Sequence, residues 1–391
     1  MKERIRLGVM GLARGIYFLK IAKLLKEDLV VVSVCENRPE AVEKAREHFV
    51  EETKLYEDFD EFLHSGIDAV VLCNYYHEHA KYAIKAFEAG VAVLSETTAA
   101  PSLGECVDLV EAVERTGGKY MLAANCPYFK AVHAMKERLE NKTYGELVYA
   151  DAEYIHPATK KLPDLDVNNL HWRQSLPATY YNMHTLGPLM YITGSVPVKV
   201  AAKCAISEVK YSLANSVRAC VLTEMSNGAV FHTTGHVGVG TKSKWYRLAC
   251  TGGTMETKRY DEPEEYLLEA GPEDPQPTET LQSWSSCGVL TQEEEQKFAD
   301  VIEQAGHGGI DLVMMIHFVK FVRGEEEAFF DVYRSVALSA AGILAWYSVL
   351  EGSREMTIPD FSKKEERDRV RGDYRSPFAK KENEITLPYR V

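Results

Sequence analysis

The sequence is poor in positive charge and contains no long apolar run. Its 45 lysine and arginine residues stand against 58 aspartate and glutamate residues, which gives a formal net charge of −13. Nucleic acids and anionic membrane surfaces attract basic proteins, so this balance argues against both as partners and favours a small neutral or cationic ligand. No apolar run has the length of about 20 residues that a transmembrane helix requires, so no membrane span is expected.

Paired cysteines are also missing. The eight cysteines are scattered, form no CxxC pair and lie mostly in apolar segments, so we expect buried free thiols and neither disulfides nor a zinc site. His77 and His79 do not suggest a metal site either, because residues two apart at a helix start point in different directions.

The opening residues, MKERIRLGVMG, lack the apolar stretch of a secretory signal, so a cytoplasmic protein is expected.

What the sequence has in quantity is apolar residues, 46% of 391, enough for the core of more than one domain. In residues 1–125, short β-branched runs such as LVVVSVCE alternate with amphipathic helical patterns such as HEHAKYAIKAFEAG. This alternation predicts βαβ units and therefore an α/β protein whose N-terminal domain is a Rossmann-type, doubly wound parallel sheet.

The pattern changes from residue 126 onwards. Longer strand patterns follow one another at hairpin spacing, with SNG (226–228) and TGG (251–253) as turns. They predict a C-terminal α+β domain over residues 126–361 with a large, mostly antiparallel sheet. Helical patterns are present near residues 180–192, 307–323 and 331–350.

Two polar segments complete the predicted organisation. The acidic, proline-bearing residues 269–283 are predicted to form a surface loop or lid. The charged C-terminal tail, residues 362–391, is predicted to be solvated or to form an arm between subunits.

The residues after the first two predicted strands point to a nucleotide. GLARG, Gly11 to Gly15, would let the backbone approach a pyrophosphate at the start of the next helix, although Ala13 stands at the usual second glycine. A tight turn without a phosphate stays open as an interpretation. Glu36 lies 25 residues after Gly11, where dinucleotide folds place a carboxylate on the ribose hydroxyls. A carboxylate there repels a 2′-phosphate, so Glu36 favours NAD over NADP. Arg38, two residues later, keeps NADP open as an alternative.

Two further strand ends resemble a known family. NYYHEH, Asn74 to His79, is similar to the TPxxxH-like turn of the Gfo/Idh/MocA group of NAD(P)-dependent oxidoreductases, and Glu96–Thr97–Thr98 is similar to its EKP motif. In that group the lysine stabilises or accepts charge at the alcohol, and here Thr97 replaces it. A threonine hydroxyl does not act as a base near neutral pH, so the substitution argues against ordinary alcohol oxidation.

Within that group, the chain most resembles the NAD-dependent glycosidases typified by the α-N-acetylgalactosaminidases, which also lack the lysine. The most specific stretches are GHGGIDLVMMIHFVKFVRG, DVYRSVALSA and IPDF, and ANCPY, EYIH, HWR and YNMHTLGP resemble further motifs. The resemblance implies an NAD-dependent enzyme acting on a small carbohydrate or glycoside. The sheet of the second domain is the family's usual oligomer platform, so a homodimer or homotetramer is expected.

The resemblance also implies site residues, some of which fit other roles. Tyr128 equally fits a core aromatic position, and His184 fits a packed or capping position. His307 is expected to be neutral, because the positive end of a helix dipole lowers a histidine pKa. The implied cofactor residues are Gly11, Ala13, Arg14, Glu36, Asn74, Tyr76, His79, Glu96, Thr97 and Asn125; the implied catalytic residues are Tyr128, Tyr181, His184 and His307; the implied substrate residues are Tyr154 and Arg173.

The implied reaction begins with hydride transfer from C3 of the sugar to NAD, after which the C3 ketone acidifies the C2 proton. Tyr128 or His184 removes that proton, the group at C1 leaves, water adds and the hydride returns, with no need for a carboxylate pair. Glu96 and Asn125 would hold the nicotinamide. Two alternatives stay open: a sugar or polyol dehydrogenase with His184 as base, and a non-catalytic nucleotide-binding relative.

Overall fold

The chain divides into two compact units in the computed structural model. One unit comprises Met1–Asn125 with Gln296–Val336, and the other Cys126–Glu295 with Ala337–Val391. Gln296–Val336 therefore groups with the N-terminal residues, in contrast to the predicted domain 126–361; the division at 125 and 361 otherwise stays a prediction. The structure describes residues 3–157, 172–206, 216–238, 240–260, 265–274, 276–305, 307–378 and 385–388.

Strands and helices alternate along the N-terminal part of the chain, and longer strands dominate its middle. Up to residue 125 the elements are β1 (Ile5–Met10), α1 (Leu12–Leu24), β2 (Leu29–Cys35), α2 (Pro39–Ala45), β3 (Lys54–Tyr56), α3 (Phe59–Leu63), β4 (Ala69–Leu72), α4 (His79–Glu88), β5 (Ala92–Ser95), α5 (Leu103–Thr116) and β6 (Tyr120–Leu122). Next come α6 (Lys130–Glu140), β7 (Leu147–Pro157), α7 (Trp172–Ser175), α8 (Leu186–Thr193), β8 (Pro197–Ile206), β9 (Ser216–Met225), β10 (Val230–Gly238), β11 (Ser243–Cys250), β12 (Gly253–Thr257), β13 (Tyr266–Ala270) and β14 (Thr278–Leu281). The last are α9 (Gln292–Phe298), α10 (Ile310–Arg323), α11 (Val332–Leu350), β15 (Met356–Thr357) and α12 (Lys364–Val370), and short 3₁₀ turns lie at Arg46–His48, Tyr76–Glu78, Cys126–Tyr128, Ala178–His184, Ile302–Ala305 and His307–Gly309.

The described part of the first unit contains a six-stranded sheet with the order β3-β2-β1-β4-β5-β6. Every neighbouring pair in it is parallel, which confirms the predicted doubly wound sheet. The strands are continuous apolar runs because helices cover both faces of such a sheet; Leu7 and Val9 of β1, for example, are fully buried. The strand order reverses between β1 and β4, and ligands bind at the carboxyl ends of the strands at such a point.

Local sequence signals explain where the helices of this unit begin and end. The side chain of Ser102 accepts a hydrogen bond from the Glu105 N–H at the start of α5, and Gly117 ends the helix with a φ of 66°, a left-handed conformation that glycine adopts without steric cost. Gly15 of α1 serves packing, because an added Cβ would lie 2.6 Å from Val9 Cγ1 of β1. It therefore fills the packing role that the last glycine of a dinucleotide loop usually has.

The described part of the second unit contains a nine-stranded sheet with the order β14-β13-β12-β11-β7-β10-β9-β8-β15. The strands are antiparallel to their neighbours except for β7 and β10, which run parallel. This confirms the predicted large, mostly antiparallel sheet. Val148, Leu222, Val230 and Leu281 of this sheet are exposed in the single chain, and the homodimer or homotetramer stays a prediction.

Residues 269–283, predicted to form a loop or lid, are instead partly strand. β13 ends at Ala270 and pairs with β14, Thr278–Leu281, in an antiparallel hairpin. Among the described residues of this segment, 271–274, 276–277 and 282–283 have the predicted irregular character. The polar residues of β14 are compatible with a strand because this strand lies at the edge of the sheet, where water can solvate its side chains.

The charged tail, predicted to be solvated or to form an arm between subunits, belongs to the second unit, and some of its described residues are buried. Arg367 of α12, Phe378 and Leu387 are buried, and the indole N–H of Trp346 donates to the Pro388 carbonyl at 2.8 Å. The prediction rested on the charge run at 363–375, whereas the apolar residues Phe378 and Leu387 come after that run.

Among the described helices, none combines the length and the apolar character needed to cross a membrane.

Two predicted helices differ locally from the structure. The helical pattern near 180–192 is a 3₁₀ turn, Ala178–His184, followed by α8, and Tyr181 has non-helical φ and ψ of −92° and 41°. His307 precedes α10 instead of starting it, because Gly308 and Gly309 adopt φ of 66° and 92°. The helix-dipole argument for a neutral His307 therefore loses its basis, since a dipole acts mainly within the first turn of a helix.

Candidate functional site

Gly11, at the end of β1, is required by the close approach of two strand ends. Its φ is 85°, and an added Cβ would lie 2.5 Å from the Cys73 carbonyl oxygen, while its N–H donates to the Cys35 carbonyl at 2.9 Å. Ala13, in the first turn of α1, is exposed. A small side chain at that position leaves the start of α1 accessible, and the start of a helix is a favourable site for a phosphate.

Glu36, directly after β2, is a buried carboxylate in a network of donors. It accepts the Leu12 N–H at 2.9 Å and two hydrogen bonds from the Arg38 guanidinium at 2.9 and 2.7 Å. Burial favours the protonated acid, but these hydrogen bonds outweigh burial and lower the pKa of Glu36. The carboxylate therefore stays ionised at neutral pH, and the charge of Arg38 is committed to it, which supports NAD over NADP.

Asn74, directly after β4, has a buried amide that is available for a ligand. Among the described residues, neither its Oδ1 nor its Nδ2 has a hydrogen-bond partner. A buried polar group without a partner costs about 1–3 kcal/mol, so such a group in a nucleotide crevice suggests that a bound molecule completes it. Tyr76, in the following 3₁₀ turn, is buried beside this position.

His79, at the start of α4, holds the loop that follows β5. Its Nδ1 lies 2.9 Å from the Thr98 carbonyl oxygen, and because a carbonyl only accepts, Nδ1 carries the proton. Burial lowers the pKa of His79, so the ring is neutral. Its role in the structure is to fix the backbone next to Thr97, and the peptide bond between Thr97 and Thr98 is cis.

Glu96, Arg14 and Asp311 form a charged cluster at the carboxyl edge of the parallel sheet. Arg14 Nε donates to Glu96 Oε1 at 2.7 Å, and its Nη1 donates to Asp311 Oδ2 at 2.9 Å. Asp311 is fully buried. Burial lowers the pKa of Arg14, but the two carboxylates raise it further than burial lowers it, so the guanidinium is charged. Arg14 thus places a positive charge beside Glu96, and Thr97 stands at the position of the lysine in the family motif.

These features fit a nicotinamide dinucleotide. Gly11 and the start of α1 would hold the pyrophosphate, Glu36 would hold the adenosine ribose, and the unsatisfied amide of Asn74 would take a further polar group of the cofactor. Within the described ranges, no group of three or more histidine, cysteine, aspartate or glutamate side chains could hold a metal ion.

The second unit contains a compact aromatic cluster around His184. The His184 ring stacks on Tyr154 of β7 with centroids 4.3 Å apart and an interplanar angle of 24°. Tyr181, three residues earlier in the same 3₁₀ turn, places its hydroxyl 3.3 Å from His184 Nε2. The structure therefore brings together three predicted site residues, Tyr154, Tyr181 and His184.

Two residues that sequence reasoning did not select complete this cluster. Cys126 Sγ lies 3.0 Å from His184 Nδ1, and the hydroxyl of the buried Tyr246 donates to the His184 carbonyl at 2.9 Å. The ring of His184 is held at both nitrogens and on one face, and its backbone is held as well. A catalytic base is oriented by a neighbouring group in this way, and the role of His184 stays a prediction.

The other predicted residues are placed less completely. Tyr128 stacks with His133, with centroids 6.4 Å apart. Asn125 lies after β6 and is half-buried. The backbones of Arg173, in α7, and His307, before α10, are described, but their side chains are outside the described part of the structure. His307 belongs to the first unit and His184 to the second. The roles of these residues stay predictions.

Asp311 and Cys126, which the sequence analysis did not select, both lie in motifs that it had singled out. Asp311 is the last residue of HGGID, a motif from which sequence reasoning selected only His307, and a carboxylate in the apolar helix IDLVMMIHFV needs a buried partner. Cys126 stands in ANCPY, beside two residues that were selected. Its partner, however, is 58 residues away, and no local pattern predicts that contact.

Replacing Glu36 with alanine is expected to weaken NAD binding by about tenfold and to improve binding of NADP relative to NAD, because hydrogen bonds to a charged group contribute about 1.5–3 kcal/mol. The change also frees Arg38 for a 2′-phosphate. Calorimetric titration with both dinucleotides measures this, with Glu40→Ala, an exposed residue of α2, as control. An unchanged preference for NAD would show that Glu36 does not contact the ribose.

Comparison with known proteins agrees with this geometry. Residues 5–124 match the model of an oxidoreductase family described as having an NAD-binding Rossmann fold. Residues 291–367 match the model of the C-terminal domain of glycosyl hydrolase family 109. The two matches lie at opposite ends of the chain, and the first covers the whole parallel sheet with its Gly11, Glu36, Asn74 and Glu96 positions.

Relatives match over nearly the whole length. A glycosyl hydrolase family 109 protein of Shewanella woodyi is 24% identical over 92% of this chain and 85% of its own. An α-N-acetylgalactosaminidase of Tannerella forsythia is 22% identical over 85% of this chain and 81% of its own. The solved structure of a levoglucosan dehydrogenase in complex with NADH and L-sorbose, 17% identical, superposes with a TM-score of 0.75 over 92% of this chain and all of its own, which shows a common fold. The chain is therefore an enzyme whose residues 5–124 form an NAD-binding Rossmann domain of the Gfo/Idh/MocA oxidoreductase type and whose residues 291–367 match the C-terminal domain of glycosyl hydrolase family 109.

Proposed function

We propose that this protein is an NAD-dependent glycosidase that cleaves a small glycoside by transient oxidation at C3, deprotonation at C2, elimination at C1 and addition of water. The observation that carries the proposal is the cluster of His184, Tyr181 and Tyr154, which offers an imidazole and two phenols for proton transfer. The relatives named as glycosidases support the same chemistry.

The strand end after β5 supports elimination over simple oxidation. Thr97 stands where the family motif has its lysine, and the nearby cation, Arg14, is held by both Glu96 and Asp311. A guanidinium does not lose its proton in a protein, so Arg14 cannot serve as the base for an alcohol. The proton acceptors must therefore come from elsewhere, and the His184 cluster is the candidate in the second unit.

We assign the proton transfers to the pair His184 and Tyr181. Bound NAD would supply the hydride acceptor for C3 and the donor that later restores C3. The base takes the C2 proton once C3 is a ketone, the C1–O bond breaks as the C1–C2 double bond forms, and the leaving oxygen receives a proton. Water then adds at C1 and a proton returns to C2, so the cycle has no net oxidation. Tyr128, the alternative base, contacts His133.

The test is incubation of the protein in heavy water with a panel of aryl glycosides of different sugars and anomers. We expect cleavage without accumulation of NADH, and deuterium at C2 of the released sugar. Cleavage without deuterium would reject the C2 route. Stoichiometric NADH with a free sugar would support a sugar or polyol dehydrogenase with His184 as base instead, and a protein that neither carries nor binds NAD would support a non-catalytic relative.

A further inference from the structure

Cys126 is a buried thiol in contact with His184 that the proposed reaction does not use. It is 1% exposed and belongs to the 3₁₀ turn Cys126–Tyr128. Its Sγ lies 3.0 Å from His184 Nδ1, within hydrogen-bonding distance for a sulfur. A thiol so well buried is not accessible to a substrate, which excludes a role as nucleophile. Its contact with the imidazole gives it a route to influence His184.

Further contacts of His184 bear on what Cys126 can contribute. Nε2 faces the Tyr181 hydroxyl at 3.3 Å, and one face of the ring is covered by Tyr154. Tyr246 of β11 holds the backbone carbonyl. The titratable groups that these contacts bring near the residue include the phenols of Tyr154, Tyr181 and Tyr246, the thiol of Cys126 and, on the same strand as Tyr154, the imidazole of His156.

A neutral imidazole has one N–H and one bare nitrogen, and the partner of one nitrogen decides the state of the other. We propose that Cys126 is a positioning residue: its sulfur accepts the Nδ1–H of His184, so that Nε2 is the bare, basic nitrogen facing the Tyr181 hydroxyl. This is the arrangement in which a third group orients a catalytic base. The inference rests on the proposed function only in assigning a proton-accepting role to His184.

The arrangement gives the pair a defined direction of proton transfer. A proton that reaches Nε2, directly or through Tyr181, makes the ring a cation whose Nδ1–H remains on the sulfur of Cys126. Return of the proton from Nε2 restores the starting state, and Cys126 neither gains nor loses a bond. The thiol therefore fixes which ring nitrogen takes part, and its removal is expected to lower the rate more than the affinity.

The first test observes the ring directly. The protein is labelled with ¹⁵N-histidine, and His184 is assigned by comparison with His184→Gln. We expect Nδ1 of His184 to be protonated and Nε2 to be bare in the unmodified protein, and Cys126→Ala to shift the ring toward the other tautomer. A ring protonated at Nε2 in the unmodified protein, or the same ring state with and without Cys126, would overturn the proposal.

The second test measures activity on whichever aryl glycoside is cleaved. Cys126→Ala is expected to lower kcat on the order of tenfold with little change in KM, and Cys126→Ser, whose hydroxyl also accepts an N–H, is expected to restore part of the rate. The matched control is Cys287→Ala, another buried cysteine of the same unit, with unfolding midpoints measured for all variants. Equal losses in Cys126→Ala and Cys126→Ser at unchanged stability would contradict the proposal. Absence of glycoside cleavage together with the expected ring state would reject the proposed function and retain the pairing of Cys126 with His184.

Discussion

His184→Ala is expected to lower glycoside cleavage by about 100-fold to 10,000-fold, the usual contribution of a general acid or base, while NAD binding is unchanged. The effect is large because His184 is the imidazole at the centre of the cluster with Tyr154, Tyr181 and Cys126. Binding of NAD is unaffected because the residues that fit the dinucleotide, such as Gly11, belong to the other unit.

The experiment pairs initial rates on an aryl glycoside with calorimetric titration of NAD. His232→Ala is the control, since His232 is a half-buried histidine of the same unit whose Nδ1 contacts Asp151 at 3.1 Å. It should retain the rate of the unmodified protein. Loss of NAD binding in His184→Ala would reassign the residue to the cofactor, and an unchanged rate would remove it from the mechanism.

Asp311→Ala is expected to lower the free energy of unfolding of the first unit by about 3 kcal/mol, because removal of one partner from a buried ion pair leaves the other charge uncompensated. The value lies at the lower end of the range for such changes, since Arg14 keeps Glu96 as a partner. Asp311→Asn preserves the shape and one acceptor oxygen, so its loss should be smaller. Chemical denaturation followed by circular dichroism measures both.

The matched control is Glu88→Ala, which breaks an ion pair with Arg115 in which both side chains are about half exposed. Exposed pairs contribute at most about 1 kcal/mol, so this variant should be nearly neutral. If Asp311→Ala and Glu88→Ala were equally mild, the Arg14–Glu96–Asp311 cluster would not contribute to stability, and its interpretation as a buried ionic centre would be wrong.

The fold was predictable where local pattern decides it. In residues 1–125 the strands are continuous apolar runs and the helices carry their own start and stop signals, such as Ser102 and Gly117 of α5, so the parallel sheet followed from periodicity. The grouping of Gln296–Val336 with that sheet was not predictable. Tertiary packing decides it, and the sequence between residues 125 and 296 gives no sign of a return.

The candidate site was predictable in part. A sequence motif identifies individual residues, but it does not identify the distant residues that they contact in the fold. YNMHTLGP identified Tyr181 and His184, and the two are three residues apart in one turn, so their contact follows from local geometry. The kink at Tyr181 escaped prediction because an apolar pattern cannot distinguish a 3₁₀ turn from an α-helix. Contacts such as that of Cys126 with His184 depend on the folded chain and lie beyond any spacing rule.

The late position of Asp311 in the chain also bears on how the protein is made. A ribosome completes the parallel sheet long before it reaches residue 311, so the nascent N-terminal domain emerges with Arg14 lacking one of its two carboxylates. The domain is thus discontinuous in sequence. The ion pair between Arg14 and Asp311 can form only during the last quarter of synthesis. A fragment that ends after Asn125 would lack Asp311, and Arg14 would keep only one of its two carboxylate partners. Truncation at this boundary is therefore a poor way to isolate the nucleotide-binding domain.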